Sequence, residues 1–232
     1  MAEIANNSLA TPLEYWNTIF TMIPDMKLDD WLEQYKSHID GAENFIDLGC
    51  GNGNDTYYLL ERGKSVVACD WSSVALDNLR IRFANQIKTN QLRIEKFNFM
   101  DEKWPLSTGS YQIAIADLSL HYFLPDDFSR LLKKVWLLLI DHNSRLLFRV
   151  NSISDPEYRE SDKPIIETGI IQEGNGMVKW FFSKEALCDH LKDCFIIDDL
   201  HEEPMSRYGG NKVVWCGCAR MSMSYSLDLY GR

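Results

Sequence analysis

The stretch FIDLGCGNGNDTYYLLERG, residues 45–63, constrains the fold more than any other part of this sequence. NFIDL is a short apolar run and reads as a buried strand. NDTYYLLERG reads as a helix stopped at Gly63. Between them lie Gly49, Gly51 and Gly53 in alternation. Glycine loses more backbone freedom on folding than any other residue, and a plain strand–helix turn needs only one or two. The alternation therefore predicts a tight turn whose backbone a ligand approaches closely, beside the free N–H groups of a helix start.

Strand and helix patterns keep alternating. SVVACD reads as a strand, and Ser72 caps the helix SVALDNLRIRFANQI, with Val74, Leu76, Leu79 and Phe83 near helical spacing. LRIEKFNF, YQIAIADL and SRLLFRVNS read as further strands, and PDDFSRLLKKVWLLLI as a helix opened by Pro125. Such alternation predicts a parallel sheet covered on both faces, doubly wound through right-handed crossovers. Ahead of it, Thr11-Pro12 start the helix LEYWNTIF, and KLDDWLEQYKSHI forms a second helical stretch up to Gly41. Residues to Ala10 are polar and read as frayed. After the helix SKEALCDHLKD, CFIIDDLHEE and NKVVWCGCAR read as an antiparallel hairpin at the sheet edge, joined through Gly209-Gly210. Residues 152–178 read as a long polar loop on the substrate side, a lid candidate. The expected division is an N-terminal helical lid segment at 1–40, one α/β domain at 41–220 and a tail at 221–232.

Ligands of open parallel sheets bind outside the carboxyl ends of the strands. The glycine loop sits at one such end, and Asp70 ends the next strand about 20 residues beyond the first glycine, the spacing of a ribose-binding acid. The two features predict a nucleoside site. A dinucleotide fingerprint does not fit: the third glycine comes one residue early, and Asn54 fills the expected place. Asp47 would oppose a pyrophosphate and favour a cationic ligand group.

At these residues the chain resembles the class I S-adenosylmethionine-dependent methyltransferases. DLGCGNG is similar to the family's first motif, acid-x-G-x-G-x-G, at every position. The resemblance implies that Asp47, Gly49, Cys50, Gly51 and Gly53 hold the methionine end of the cofactor. Asp70, followed by Trp71, would hold the ribose. FNFMDEKWPL looks like the loop after the third strand, which implies Asp101 at the adenine amino group and Phe99 or Met100 against the ring. YQIAIADLSLHYF looks like the fourth strand and the loop beside the transferred methyl. There Asp117 would border the cofactor, and His121 and Tyr122 would act on the acceptor. Arg149, Asn151 and Ser152, after the next strand, would line the acceptor side. The implied fold is the Rossmann-like methyltransferase fold: a doubly wound, mostly parallel seven-stranded sheet with a C-terminal antiparallel hairpin. The layout is similar to the thiopurine and tellurite-resistance methyltransferases, which implies a small-molecule substrate.

Composition removes other classes. Asp and Glu outnumber Lys and Arg by 34 to 24, for a net charge of -10, a surface that repels nucleic-acid backbones and anionic lipid. No nucleic-acid or membrane partner is expected, and the assembly would be a monomer or homodimer. There is no signal-peptide pattern and no apolar run of spanning length, so a cytoplasmic location is expected. Cys188, Cys194, Cys216 and Cys218 lack C-x-x-C spacing and read as free thiols, with no metal expected. Two rivals remain: methylation of a protein or tRNA on the same fold, and a non-catalytic cofactor-binding subunit. ADLSLH stands where a macromolecule-directed enzyme of this family would carry an N/D-P-P-Y-type tetrapeptide.

Overall fold

The computed structural model describes residues 11–205 and 211–223. The frayed start, the Gly209-Gly210 turn and most of the tail lie outside the described residues. Helix α1 (Pro12–Met22) opens with a capping box in which Thr11 and Glu14 satisfy each other's backbone N–H groups. A 3₁₀ turn (Trp31–Tyr35) and the short α2 (Lys36–Asp40) follow. The helix expected from Lys27 thus starts later. Tertiary bonds hold the preceding residues out of it: the Lys27 N–H donates to Asn54 Oδ1 at 2.7 Å, and Trp31 Nε1 donates to Asp55 Oδ1 at 2.9 Å.

The sheet then forms from β1 (Asn44–Leu48), β2 (Ser65–Asp70), β3 (Leu92–Lys96), β4 (Ile113–Asp117) and β5 (Arg145–Asn151). Helices α3 (Asn54–Leu60), α4 (Ser73–Arg82), α5 (Ala84–Lys88) and α6 (Pro125–Leu138) connect them. The long helix expected after Ser72 breaks between α4 and α5 at Phe83, whose ring stacks on Tyr57. After α8 (Lys184–Leu191), β9 (Phe195–Met205) and β10 (Lys212–Met221) pair antiparallel, and β10 pairs antiparallel with β5. The result is a seven-stranded sheet ordered β3-β2-β1-β4-β5-β10-β9. Pairings among β1 to β5 are all parallel. The doubly wound sheet and terminal hairpin are as the sequence implies.

Apolar side chains cover both faces. On one, α6 sets Phe128, Leu131, Leu132 and Val135 against Ala114, Leu146 and Phe148. On the other, Trp31, Leu32, Ile39, Leu59, Leu76 and Leu79 pack on Phe45, Ile113 and Leu147. Each such side chain contributes about 1.5–3 kcal/mol by leaving water.

The segment expected as a loop is not structureless. It contains α7 (Pro156–Arg159) and a separate three-stranded antiparallel sheet of β6 (Ile165–Glu167), β7 (Ile170–Gln172) and β8 (Val178–Trp180). Ile170 and Ile171 are buried in it. Strands this short leave no periodicity to read. Their packing delivers Met177, Val178 and Lys179 to the carboxyl edge of the main sheet.

Candidate active site

The carboxyl ends of β1, β2, β4 and β5 open into a cavity of about 590 Å³. Its floor is the glycine loop. Gly49, at φ +76, packs so close that an added Cβ would lie 2.5 Å from Ser119 Cβ. An added Cβ on Gly51, at φ +50, would lie 3.1 Å from the Phe20 ring of α1. Only glycine fits a left-handed backbone at such spacing. Gly53 caps α3, and the Gly49 and Cys50 N–H groups bond Cys69 O at 2.8 and 2.9 Å, tying the loop to β2.

Asp70 lines the cavity and has structural bonds as well. Its Oδ2 accepts the Gly51 N–H at 3.0 Å and its Oδ1 the Ser72 N–H at 2.8 Å. Burial raises its pKa, and those N–H groups oppose the rise. Cys50 and Trp71 also line the wall. Asp47 does not. It lies beneath the loop, 2% exposed, where Oδ2 accepts the Thr56 hydroxyl at 2.6 Å. Burial pushes its carboxyl up to about 7 despite that bond. Besides Asp70, the lining includes Asp25 and Asp55, which sequence reasoning missed. Asp55 stands in the first turn of α3, where a helix-capping role masks any other.

Phe99 and Met100 line the cavity as expected, but Asp101 is exposed and off the wall. Its Oδ2 accepts the Asn98 N–H at 2.9 Å, closing a turn that leaves Asn98 itself on the wall.

Asp117 lines the cavity and faces Arg149 in register across β4 and β5. Arg149 Nε and Nη2 reach its two carboxylate oxygens at 2.7 and 3.0 Å, and Nη2 also bonds Asp29 at 3.0 Å. Arg149 is therefore engaged under the 3₁₀ turn, its guanidinium 4.7 Å from the Trp31 ring centre, and it is not on the cavity wall, where it was expected on the acceptor side. Ser152 is also off the wall, bonded to Glu202. Asn151 is on it.

The far end of the cavity is built by a second 3₁₀ turn, Leu120–Tyr122, which packs on β5 and β8. His121 is 2% exposed, and its Nδ1 meets no hydrogen-bond partner. Burial lowers its pKa well below 6.5, helped by the positive charges of Lys212 and Lys179. Tyr122 stacks obliquely on His121 at 4.2 Å and meets Trp16 of α1 edge-on at 5.3 Å. Glu157 takes Lys212 at 3.2 Å and also Lys179, which in turn meets Glu173 at 3.1 Å. Burial would raise the Glu157 pKa, but the lysines outweigh it and hold it at about 2. Lys179, Lys212 and Glu157 line the wall and were not foreseen. They lie on segments without a motif, and only the tertiary fold assembles them.

Elsewhere, His201, Glu203 and Cys216 bring potential ligand atoms within 4.8 Å of one another on the β9–β10 face. Arg149 Nη1 lies 3.5 Å from Glu203 there, a cation already in contact with one of the three. Among the described residues, no helix is long and apolar enough to cross a membrane.

The profile of a methyltransferase domain family matches residues 45–141. No curated protein matches the chain in sequence. Among solved structures, an S-adenosylmethionine-dependent methyltransferase from Methanosarcina mazei superposes with a TM-score of 0.68 at 22% identity, covering 81% of this chain and 96% of that one. The 1,6-didemethyltoxoflavin N1-methyltransferase of Burkholderia thailandensis superposes with a TM-score of 0.66 at 20% identity, covering 92% of each chain. That structure holds 1,6-didemethyltoxoflavin and S-adenosylhomocysteine. A methyltransferase from Clostridium acetobutylicum gives 0.63 at 16% identity, covering 88% of this chain and 97% of that one. At these identities the likenesses show the shared fold. Residues 45–141 match a methyltransferase domain, and with the glycine cradle and the sheet order that match supports an enzyme that uses S-adenosylmethionine.

Proposed function

We propose that this enzyme methylates a small molecule bound at the His121 end of the cavity. The observation that carries the reading is the roof. Tyr15, Trp16, Ile19 and Phe20 of α1 line the cavity from one side, and Met177, Val178 and Lys179 line it from the other. Few contacts hold α1 in place: Ser72 Oγ donates to Asn17 Oδ1 at 2.6 Å, Asn78 Nδ2 donates to Phe20 O at 3.2 Å, Trp16 meets Tyr122 edge-on and the Phe20 ring packs on Gly51. No residue of α1 is buried. A helix held so lightly can open for a small ligand and then exclude water. A covered acceptor end suits a small molecule better than a protein or tRNA chain, and the net charge of -10 also disfavours RNA.

S-adenosylmethionine supplies a methyl group already activated by its sulfonium, so the protein has mainly to align and to handle a proton. Gly49, Cys50 and Gly51 would cradle the methionine end, with Asp55 on the wall to meet its ammonium and Asp47 adding its field from below. Asp70 would accept the ribose hydroxyls with the lone pairs its structural bonds leave over. Asn98, Phe99 and Met100 would border the adenine. Asp117, neutralised by Arg149, would set the floor beside the methyl, with His121 and Tyr122 beyond it. The Burkholderia protein, which holds a small molecule in the same fold, supports the substrate class. A cytoplasmic location fits this reading.

The test is incubation of purified protein with methyl-labelled S-adenosylmethionine and separate pools of thiols, amines, phenols, lactams, total tRNA and cell protein. Label is expected in a low-mass product. Label confined to tRNA or protein would overturn the reading. Tight binding of S-adenosylhomocysteine with no transfer to any pool would favour a non-catalytic subunit.

A further inference from the structure

Asn151 ends β5, is 0% exposed and lines the cavity, yet neither its Nδ2 nor its Oδ1 meets a partner. Buried side-chain polar atoms are paired in the large majority of cases, because an unpaired one keeps its desolvation cost. Here both ends of one carboxamide are unpaired, and the unpartnered Nδ1 of His121 stands in the turn that packs on the same strand. A carboxamide offers a donor and an acceptor side by side. Its full complement is an acceptor and a donor side by side, the edge of a cis amide.

We propose that the methyl acceptor is a planar heterocycle with a lactam edge, a ring C=O beside a ring N–H, read by the Asn151 carboxamide. The inference rests on the small-molecule reading above and adds the substrate class and a specificity-determining residue. The walls agree with a flat ring: Trp16 and Tyr122 present aromatic surface beside His121. Rivals fit less well. A thiol offers one atom that is only a weak donor and a weak acceptor. A carboxylate would satisfy Nδ2 and confront Oδ1 with negative charge.

Lactam chemistry also suits the charges. His121 is held neutral by burial and the two lysines, so its Nδ1 can accept a proton but holds it weakly. Such a base suits an acidic N–H and not an alcohol. In the reaction the proton leaves the ring nitrogen for Nδ1 and passes on to water. The lone pair of the lactam anion, on a ring nitrogen or its conjugated oxygen, forms the bond to the methyl carbon. The carbon–sulfur bond breaks with its electron pair retained by sulfur. Lys179 and Lys212 lie within electrostatic reach of His121, and Glu157, paired with both, offsets part of their charge.

The test is calorimetric titration of wild type, saturated with S-adenosylhomocysteine, with uracil, lumazine and a quinazolinone, each beside its N-methylated analogue. At least one lactam should bind at least about tenfold more tightly than its methylated partner, since a lost bond strands a buried group. Asn151→Leu should erase that ratio and leave the S-adenosylhomocysteine affinity within about twofold, as no role toward the nucleoside is assigned to it. Asn151→Asp, which keeps the shape and loses the amide donor, should weaken the lactam in the same assay. The wild-type comparison stands even where a variant misfolds. Equal binding of each pair, no binding by any lactam while S-adenosylhomocysteine binds, or a ratio that survives in Asn151→Leu would overturn the proposal. Failure of S-adenosylhomocysteine itself to bind would instead overturn the cavity reading beneath it.

Discussion

Asp70 holds Gly51: the carboxylate at the end of β2 accepts the Gly51 N–H at 3.0 Å and fixes the middle of the glycine loop before any ligand arrives. The same side chain anchors the start of α4 through Ser72. Its replacement therefore has two effects. Asp70→Ala should cost the ligand-free protein about 1–3 kcal/mol, the range for stranding buried N–H donors. It should also weaken S-adenosylmethionine binding by about 1.5–3 kcal/mol, the range for hydrogen bonds to a charged group. Urea denaturation without ligand and calorimetry with it read the two separately. An unchanged urea midpoint would show that the loop does not depend on Asp70.

His121 should matter to turnover and not to cofactor affinity. His121→Ala should lower kcat by roughly 10²–10⁴, the scale of general-base work, with the S-adenosylmethionine Kd near normal. Because burial depresses its pKa below 6.5, wild type should show no loss of kcat from His121 protonation above that pH. The acid limb should fall below 6.5 and vanish in the variant. A limb above 6.5 that persists in His121→Ala would assign the proton to another group.

Asp47 sets a pH signature of stability. Its folded-state pKa, raised by burial to about 7 from 3.8, means the folded chain binds more protons than the unfolded one across that window. Its contribution is complete below 3.8 and is lost as pH rises toward 7. Asp47→Asn keeps an acceptor for the Thr56 hydroxyl and removes the titration. Relative to wild type, the ligand-free variant should therefore gain stability between pH 5 and pH 8, by about 1–3 kcal/mol. Denaturant melts at the two pH values check it. A constant difference would mean that Asp47 titrates as an ordinary carboxyl.

Gly49 should tolerate no side chain. Its positive φ and the Ser119 Cβ 2.5 Å away from an added methyl predict that Gly49→Ala loses about 2–4 kcal/mol and cofactor binding with it. Gly109 also has positive φ, +60, but nothing lies within 4 Å of an added Cβ. Gly109→Ala should cost only about 1 kcal/mol. Equal losses in the two variants would mean that backbone strain, and not the packing of the loop, decides.

The central sheet and the glycine cradle were legible because their signals are local: apolar runs, one dense glycine motif, and Asp70 at a fixed spacing. The His121 end of the cavity was legible only in part. His121 and Tyr122 follow β4 directly, so their place came from the strand. Lys179 and Lys212 come from β8 and β10, brought together by pairing that leaves no trace in the sequence around either. Asp101 stands out in the sequence because the resemblance asks for an acid in this loop, and the turn that Asp101 closes leaves Asn98 on the wall. Arg149 reads as a pocket cation until its acidic partners are known, and Asp29 lies 120 positions away along the chain.

The most direct test of the account is a calorimetric titration of the wild-type chain with S-adenosylhomocysteine and, separately, with NAD. The glycine register and the acids beneath and beside the loop predict one S-adenosylhomocysteine site per chain in the micromolar range and no heat from NAD. Saturable NAD binding with no response to S-adenosylhomocysteine would contradict it.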